Sequence, residues 1–144
     1  MYAALVFAFA PISYGSFQFR VAGTLRPGIA KKWILALGYA IGVVVGNIFT
    51  PFPLYYELVL MPIVSLIAGL VGYLVAKPFK NNYFIAGAVI ATIISVSVSW
   101  MLSQPLVLNI PMIFTLPYLF VAEQIVNLIG AMAFKLIEMR FKWW

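Results

Sequence analysis

The sequence has no cysteine and no histidine. The first absence excludes disulfides and thiolate metal sites, and the second removes the usual general base and metal ligand. With no nucleophile and base pair in view, an enzyme is not expected. No Gly-rich loop ending in Lys-Ser or Lys-Thr is present, so the chain does not hydrolyse ATP itself. Charge is scarce as well: 8% of the 144 residues are charged, where a soluble domain carries about a quarter. Acid is rarest, with three carboxylates against nine basic residues and a net charge of +6.

What fills the chain is apolar. Hydrophobic residues make up 65% and the mean hydropathy is +1.09, so no soluble surface can be built from it. Several runs approach the ~20 apolar residues that a helix needs to cross ~30 Å of hydrocarbon. Residues 41–49 and 85–99 show no strand-like alternation, which excludes a β-barrel. The expectation is an all-α integral membrane protein, one transmembrane domain over residues 1–144. The positive charge does not indicate nucleic acid, because the basic residues sit at the edges of apolar runs, where topology accounts for them.

Residues 1–10 lack a charged n-region and a cleavage site before a hydrophilic chain, so they read as a helix rather than a removable signal peptide. Residues 16–29 hold Gln18, Arg20 and Arg26 and end at Pro27-Gly28, a weak crossing by hydropathy. Four spans follow, at 33–49, 58–76, 84–102 and 112–134. Lys31 and Lys32 precede the first, Lys77 and Lys80 follow the second, and Lys135, Arg140 and Lys142 follow the last, while the opposite ends carry no Lys or Arg. Every basic residue but Arg20 then falls on one side, which the positive-inside rule makes cytoplasmic. An N-terminus also inside requires residues 1–29 to cross twice. The expected fold is a six-helix transmembrane bundle, its second helix short and polar, multi-pass in the cell membrane with both termini cytoplasmic.

Small residues mark helix contacts: Ala4 and Ala8 on the first helix, and Gly38, Gly42 and Gly46 on the span after Trp33. Polar residues mark a site. Gln18 and Arg20 lie toward the outer leaflet, as do Asn47, Tyr55 and Glu57, and the 84–102 span ends with three serines and Trp100. For Tyr55 and Trp100 the alternative is interfacial anchoring, and for Arg20 a helix-end Arg reaching the headgroups. Glu123 falls about 16 Å into the last helix at 1.5 Å per residue. A lipid-facing acid there would cost about 2.5 kcal/mol or more, so it faces the bundle, paired with Arg20 or bonded to a ligand. A purely structural Arg20–Glu123 pair is the alternative.

In the segments Tyr2-Ala3-Ala4-Leu5 through Ala10-Pro11-Ile12-Ser13-Tyr14-Gly15, Gln18-Phe19-Arg20-Val21, Gly46-Asn47-Ile48-Phe49 and Val121-Ala122-Glu123, the chain resembles the substrate-binding (S) components of energy-coupling factor (ECF) vitamin transporters. Within them it resembles the family proposed to take up queuosine precursors. That resemblance implies an outward-facing pocket beneath the loop joining helices one and two. It also implies docking through Ala4 and Ala8 onto a transmembrane coupling subunit driven by ATPase subunits. The chain departs from the family pattern at Ala22-Gly23, where a Ser-Glu pair is usual.

No cofactor is implied; the expected ligand is a small vitamin-like solute. A 7-deazaguanine presents a ring N–H and an exocyclic amine that Glu123 can accept in a bidentate pair, with Gln18 or Asn47 serving its carbonyl. Tyr14, Tyr55 or Trp100 would stack on the ring, and an aminomethyl cation would prefer Glu57. The competing function is a small membrane protein acting in assembly through helix contacts alone, which has no need of converging polar side chains. A standalone secondary transporter would usually show internal repeats, and none is found.

Overall fold

The computed structural model of the chain describes residues 1–9, 21–48, 50, 53 and 55–144. Among these there are five α-helices and no strand. Helix α1 covers Tyr2–Ala8, α2 Ile34–Gly46, α3 Met61–Ala76, α4 Tyr83–Leu102 and α5 Met112–Arg140. A 3-10 helix, Val21–Ala30, precedes α2, and a wide turn of π type over Tyr55–Leu60 leads into α3. Three continuous stretches are long and apolar enough to cross a membrane: Tyr55–Phe79, Tyr83–Leu102 and Met112–Arg140. Helix α2, with 13 residues, reaches only about 20 Å.

Local chemistry sets these boundaries. Asn82 is extended and its Oδ1 accepts the Phe84 N–H at 2.8 Å, capping α4. Just before it, Lys80 and Asn81 take left-handed backbone angles, φ 57° and 53°, which reverse the chain between α3 and α4. Pro111 starts α5 without losing an intrahelical donor. Val21–Ala30 holds two glycines and Pro27 within ten residues, a composition poor in α-helix propensity, and it forms the tighter 3-10 coil. Seven of its ten residues are nevertheless buried, with Ala22, Arg26, Ile29 and Ala30 at 2% exposure or less.

Packing relies on small residues. A Cβ at Gly130 of α5 would meet the Thr24 carbonyl oxygen at 2.1 Å, so the 3-10 helix lies directly on the α5 backbone. The ring of Tyr2 and the methyls of Val6 sit over Gly42 and Gly46, bringing α1 onto α2, so two of the three glycines read as a packing face receive a neighbour and Gly38 faces open space. Gly69 admits Ala36, and Gly72 admits Ile90. The exterior carries Ile63, Ile67, Leu74, Ile113, Phe114 and Leu128, all more than half exposed, whereas Arg26, Asn47, Glu57, Glu123 and Asn127 are buried. Apolar outside and polar within is the arrangement that a hydrocarbon solvent favours.

Candidate functional site

The first polar centre joins the 3-10 helix, α2 and α5. Arg26 Nη1 donates to Glu123 Oε2 in a buried ion pair, and Arg26 Nε donates to the Tyr39 hydroxyl at 2.6 Å. Asn127, one turn after Glu123, donates to the Glu123 carbonyl at 2.8 Å and to the same Oε2 at 3.4 Å. The guanidinium also lies 5.5 Å from the centre of the Tyr39 ring, and Tyr2 packs edge-on against that ring at 4.9 Å. Both charged groups here are paired, while the Tyr2 hydroxyl and the Asn127 Oδ1 are buried without a hydrogen-bond partner among the described residues. An isolated ion at this depth would cost several kcal/mol, whereas a pair with added hydrogen bonds recovers most of that.

Glu123 thus faces inward, as its place in an apolar helix requires, but the base it meets is Arg26. Arg26 does not stand with the topogenic lysines at the membrane edge: it is 1% exposed. The reason is geometric. Gly23, Pro27 and Gly28 let this coil approach α5 and α4 closely, with Pro27 near the position a Cβ of Gly87 would take. Arg26 is thereby carried inward while Lys31, five residues on, binds Glu138 at 3.1 Å. Tyr39 was missed as well. The signal available was its phenol, a polar tip inside the otherwise apolar Ile34–Gly46 run. Gln18 and Arg20 lie outside the described residues.

The second polar centre lies at the other end of α2. Asn47, which ends α2, donates from Nδ2 to the Glu57 carboxylate and to the Glu57 carbonyl, the latter at 3.3 Å. Asn47 is 1% exposed and Glu57 is fully buried. The Asn47 Oδ1 is buried without a donor among the described residues, as is the Oγ of Ser99. Beside Glu57, Tyr56 packs edge-on against Tyr55 at 5.7 Å and against Trp100 at 6.4 Å, and both outer rings of this row are exposed. Ser95 and Ser97 bond back to carbonyls of their own helix, each at 2.8 Å. Tyr39 and Asn47 are eight residues apart on α2, which separates the two centres by about 12 Å along the helix axis.

Ala4 and Ala8 are on the exposed side of α1, away from the buried Tyr2 and Val6. A cavity of about 330 Å³, lined by Tyr2, Leu25, Gly28, Tyr39 and Trp143, borders the first centre from the lysine-bearing end. Among the described residues no three His, Cys, Asp or Glu side chains gather as a metal site.

No curated protein and no solved structure matches the chain. A family model described as QueT transporter matches residues 1–139.

Proposed function

Because the chain belongs to the QueT transporter family, and so is a membrane transport protein and not an enzyme, we propose that it is the substrate-binding subunit of an ECF-type importer. In this reading it forms a six-helix bundle with the lysine-bearing end and both termini cytoplasmic. It captures a small vitamin-like solute, a queuosine precursor of the 7-deazaguanine type, at the opposite end. The exposed Ala4–Ala8 side of α1 docks on the coupling subunit, which ATPase subunits drive.

The observation that carries this reading is the buried Asn47–Glu57 pair, with a row of aromatic rings beginning at the neighbouring Tyr56. A ligand N–H is the same kind of donor to a carboxylate as the Asn47 amide that bonds Glu57. Drawing Glu123 off Arg26 would instead strand a buried guanidinium. Glu57 is therefore the better acceptor for the ring N–H and exocyclic amine, with Asn47 and Gln18 at the carbonyl and Tyr55, Tyr56 or Trp100 stacking on the base. In this reading Arg20 is a further candidate solute contact, and Glu123 acts through its bond to Arg26, away from the solute.

The experiment is a thermal-shift titration of the purified protein with 7-aminomethyl-7-deazaguanine. A ligand at 100 times its Kd stabilises the folded state by about 2.7 kcal/mol. A saturable shift with this compound and none with guanosine supports the proposal; no shift with any 7-deazaguanine removes it.

A further inference from the structure

At the lysine-bearing end a polar pocket of about 260 Å³ is walled by Lys31, Lys80, Asn81, Asn82, Lys135 and Glu138. Three ammonium groups face one carboxylate there. That carboxylate, Glu138, is held by Lys31 at 3.1 Å, and Lys31 also lies 4.7 Å and 4.6 Å from the centres of the Tyr83 and Trp144 rings. Lys80 and Lys135 have no carboxylate partner among the described residues, so the pocket keeps an excess of positive charge. The 20-residue helix α4 begins in the same wall, adding the positive end of its dipole. Asn81 contributes a buried Oδ1 with no donor among the described residues.

The pocket continues into an apolar groove. Phe84 and Lys135 wall both, and Met132, Leu136 and Met139 carry the groove along the outside of α5. Leu136 and Met139 are 63% and 75% exposed, on a helix long enough to cross a membrane. Anionic charge demand, a vacant acceptor for a hydroxyl and an adjoining hydrocarbon-facing channel are the three parts of one molecule. We propose that this is a binding site for an anionic phospholipid with a hydroxylated headgroup, of the phosphatidylglycerol class. Its phosphate sits between Lys80 and Lys135, a headgroup hydroxyl donates to Asn81, and an acyl chain lies along Met132 and Leu136. Basic pockets between helices at the charged side of a membrane protein take headgroups in this way.

The test is native mass spectrometry of the full chain in detergent, titrated with phosphatidylglycerol, phosphatidylcholine and glycerol 3-phosphate. Phosphatidylglycerol is expected to bind one-to-one, at least about tenfold more tightly than phosphatidylcholine. The Lys80→Gln/Lys135→Gln variant should lose about tenfold in affinity, and Lys32→Gln/Lys142→Gln, which removes the same charge from elsewhere at this end, should lose little. Leu136→Trp, which fills the groove and keeps both lysines, should weaken the lipid without altering the unfolding temperature. Equal losses in the two lysine variants, equal binding of phosphatidylcholine, or glycerol 3-phosphate binding as tightly as the lipid would each overturn the proposal.

Discussion

The two buried carboxylates, Glu123 and Glu57, occupy the same apolar bundle with different company. Glu123 meets a guanidinium, with Tyr39 and Asn127 completing the shell. Glu57 meets the amide of Asn47, beside an aromatic row that reaches the surface. A buried ion pair is hard to open, because either partner alone is a stranded charge. Glu57 lies at the end of the bundle where the aromatic row reaches the surface, and a solute N–H is the same kind of donor as the Asn47 amide that bonds it. On the proposed reading, the Arg26–Glu123 pair holds the helices and the Asn47–Glu57 pair reads the solute.

The largest expected effect breaks the first centre. Glu123→Ala or Arg26→Met leaves a buried charge unpaired and should destabilise the fold by about 3–5 kcal/mol. Thermal unfolding in detergent checks this, and Arg26→Met/Glu123→Leu should recover much of the loss. Next is Gly130→Ala, whose new Cβ would overlap the Thr24 carbonyl oxygen. Overpacking of this kind costs about 1–3 kcal/mol and should lower the unfolding temperature by pushing the 3-10 helix, and Arg26 with it, off α5. Glu57→Gln, which keeps the side chain's shape and removes its charge, should lower the unfolding temperature less than Glu123→Ala does, while removing most solute affinity in the same titration. Trp100→Ala is the smallest: its ring is exposed, so stability should move by less than about 0.5 kcal/mol. Its solute affinity should fall by the ~0.5–1.5 kcal/mol that an aromatic stack contributes.

The membrane class and the long helices could be read from sequence because hydropathy over some 20 residues is a summed signal that no single side chain can hide. The spans read at 84–102 and 112–134 lie within α4 and α5, and the glycines of the 33–49 span marked a face for close packing without naming the helix that fills it. The partner of Glu123 was not legible. Arg26 sits five residues from Lys31, and charge counting gives both to the membrane edge. What separates them is a 3-10 coil made possible by Gly23, Pro27 and Gly28, whose inward path depends on Gly130 and Gly87 on two distant helices. The Asn47–Glu57 contact was half legible: both were named for the outer end, but their pairing needs the wide turn over Tyr55–Leu60 that turns Glu57 inward.

The division of labour between the two acids is tested most directly by calorimetric titration of Glu57→Gln and of Arg26→Met/Glu123→Leu with 7-aminomethyl-7-deazaguanine. The account predicts that Glu57→Gln loses about 1.5–3 kcal/mol of binding, the range of a hydrogen bond to a charged group, while the double variant keeps an affinity close to that of the unaltered protein. Unchanged binding in Glu57→Gln together with lost binding in the folded double variant would contradict it.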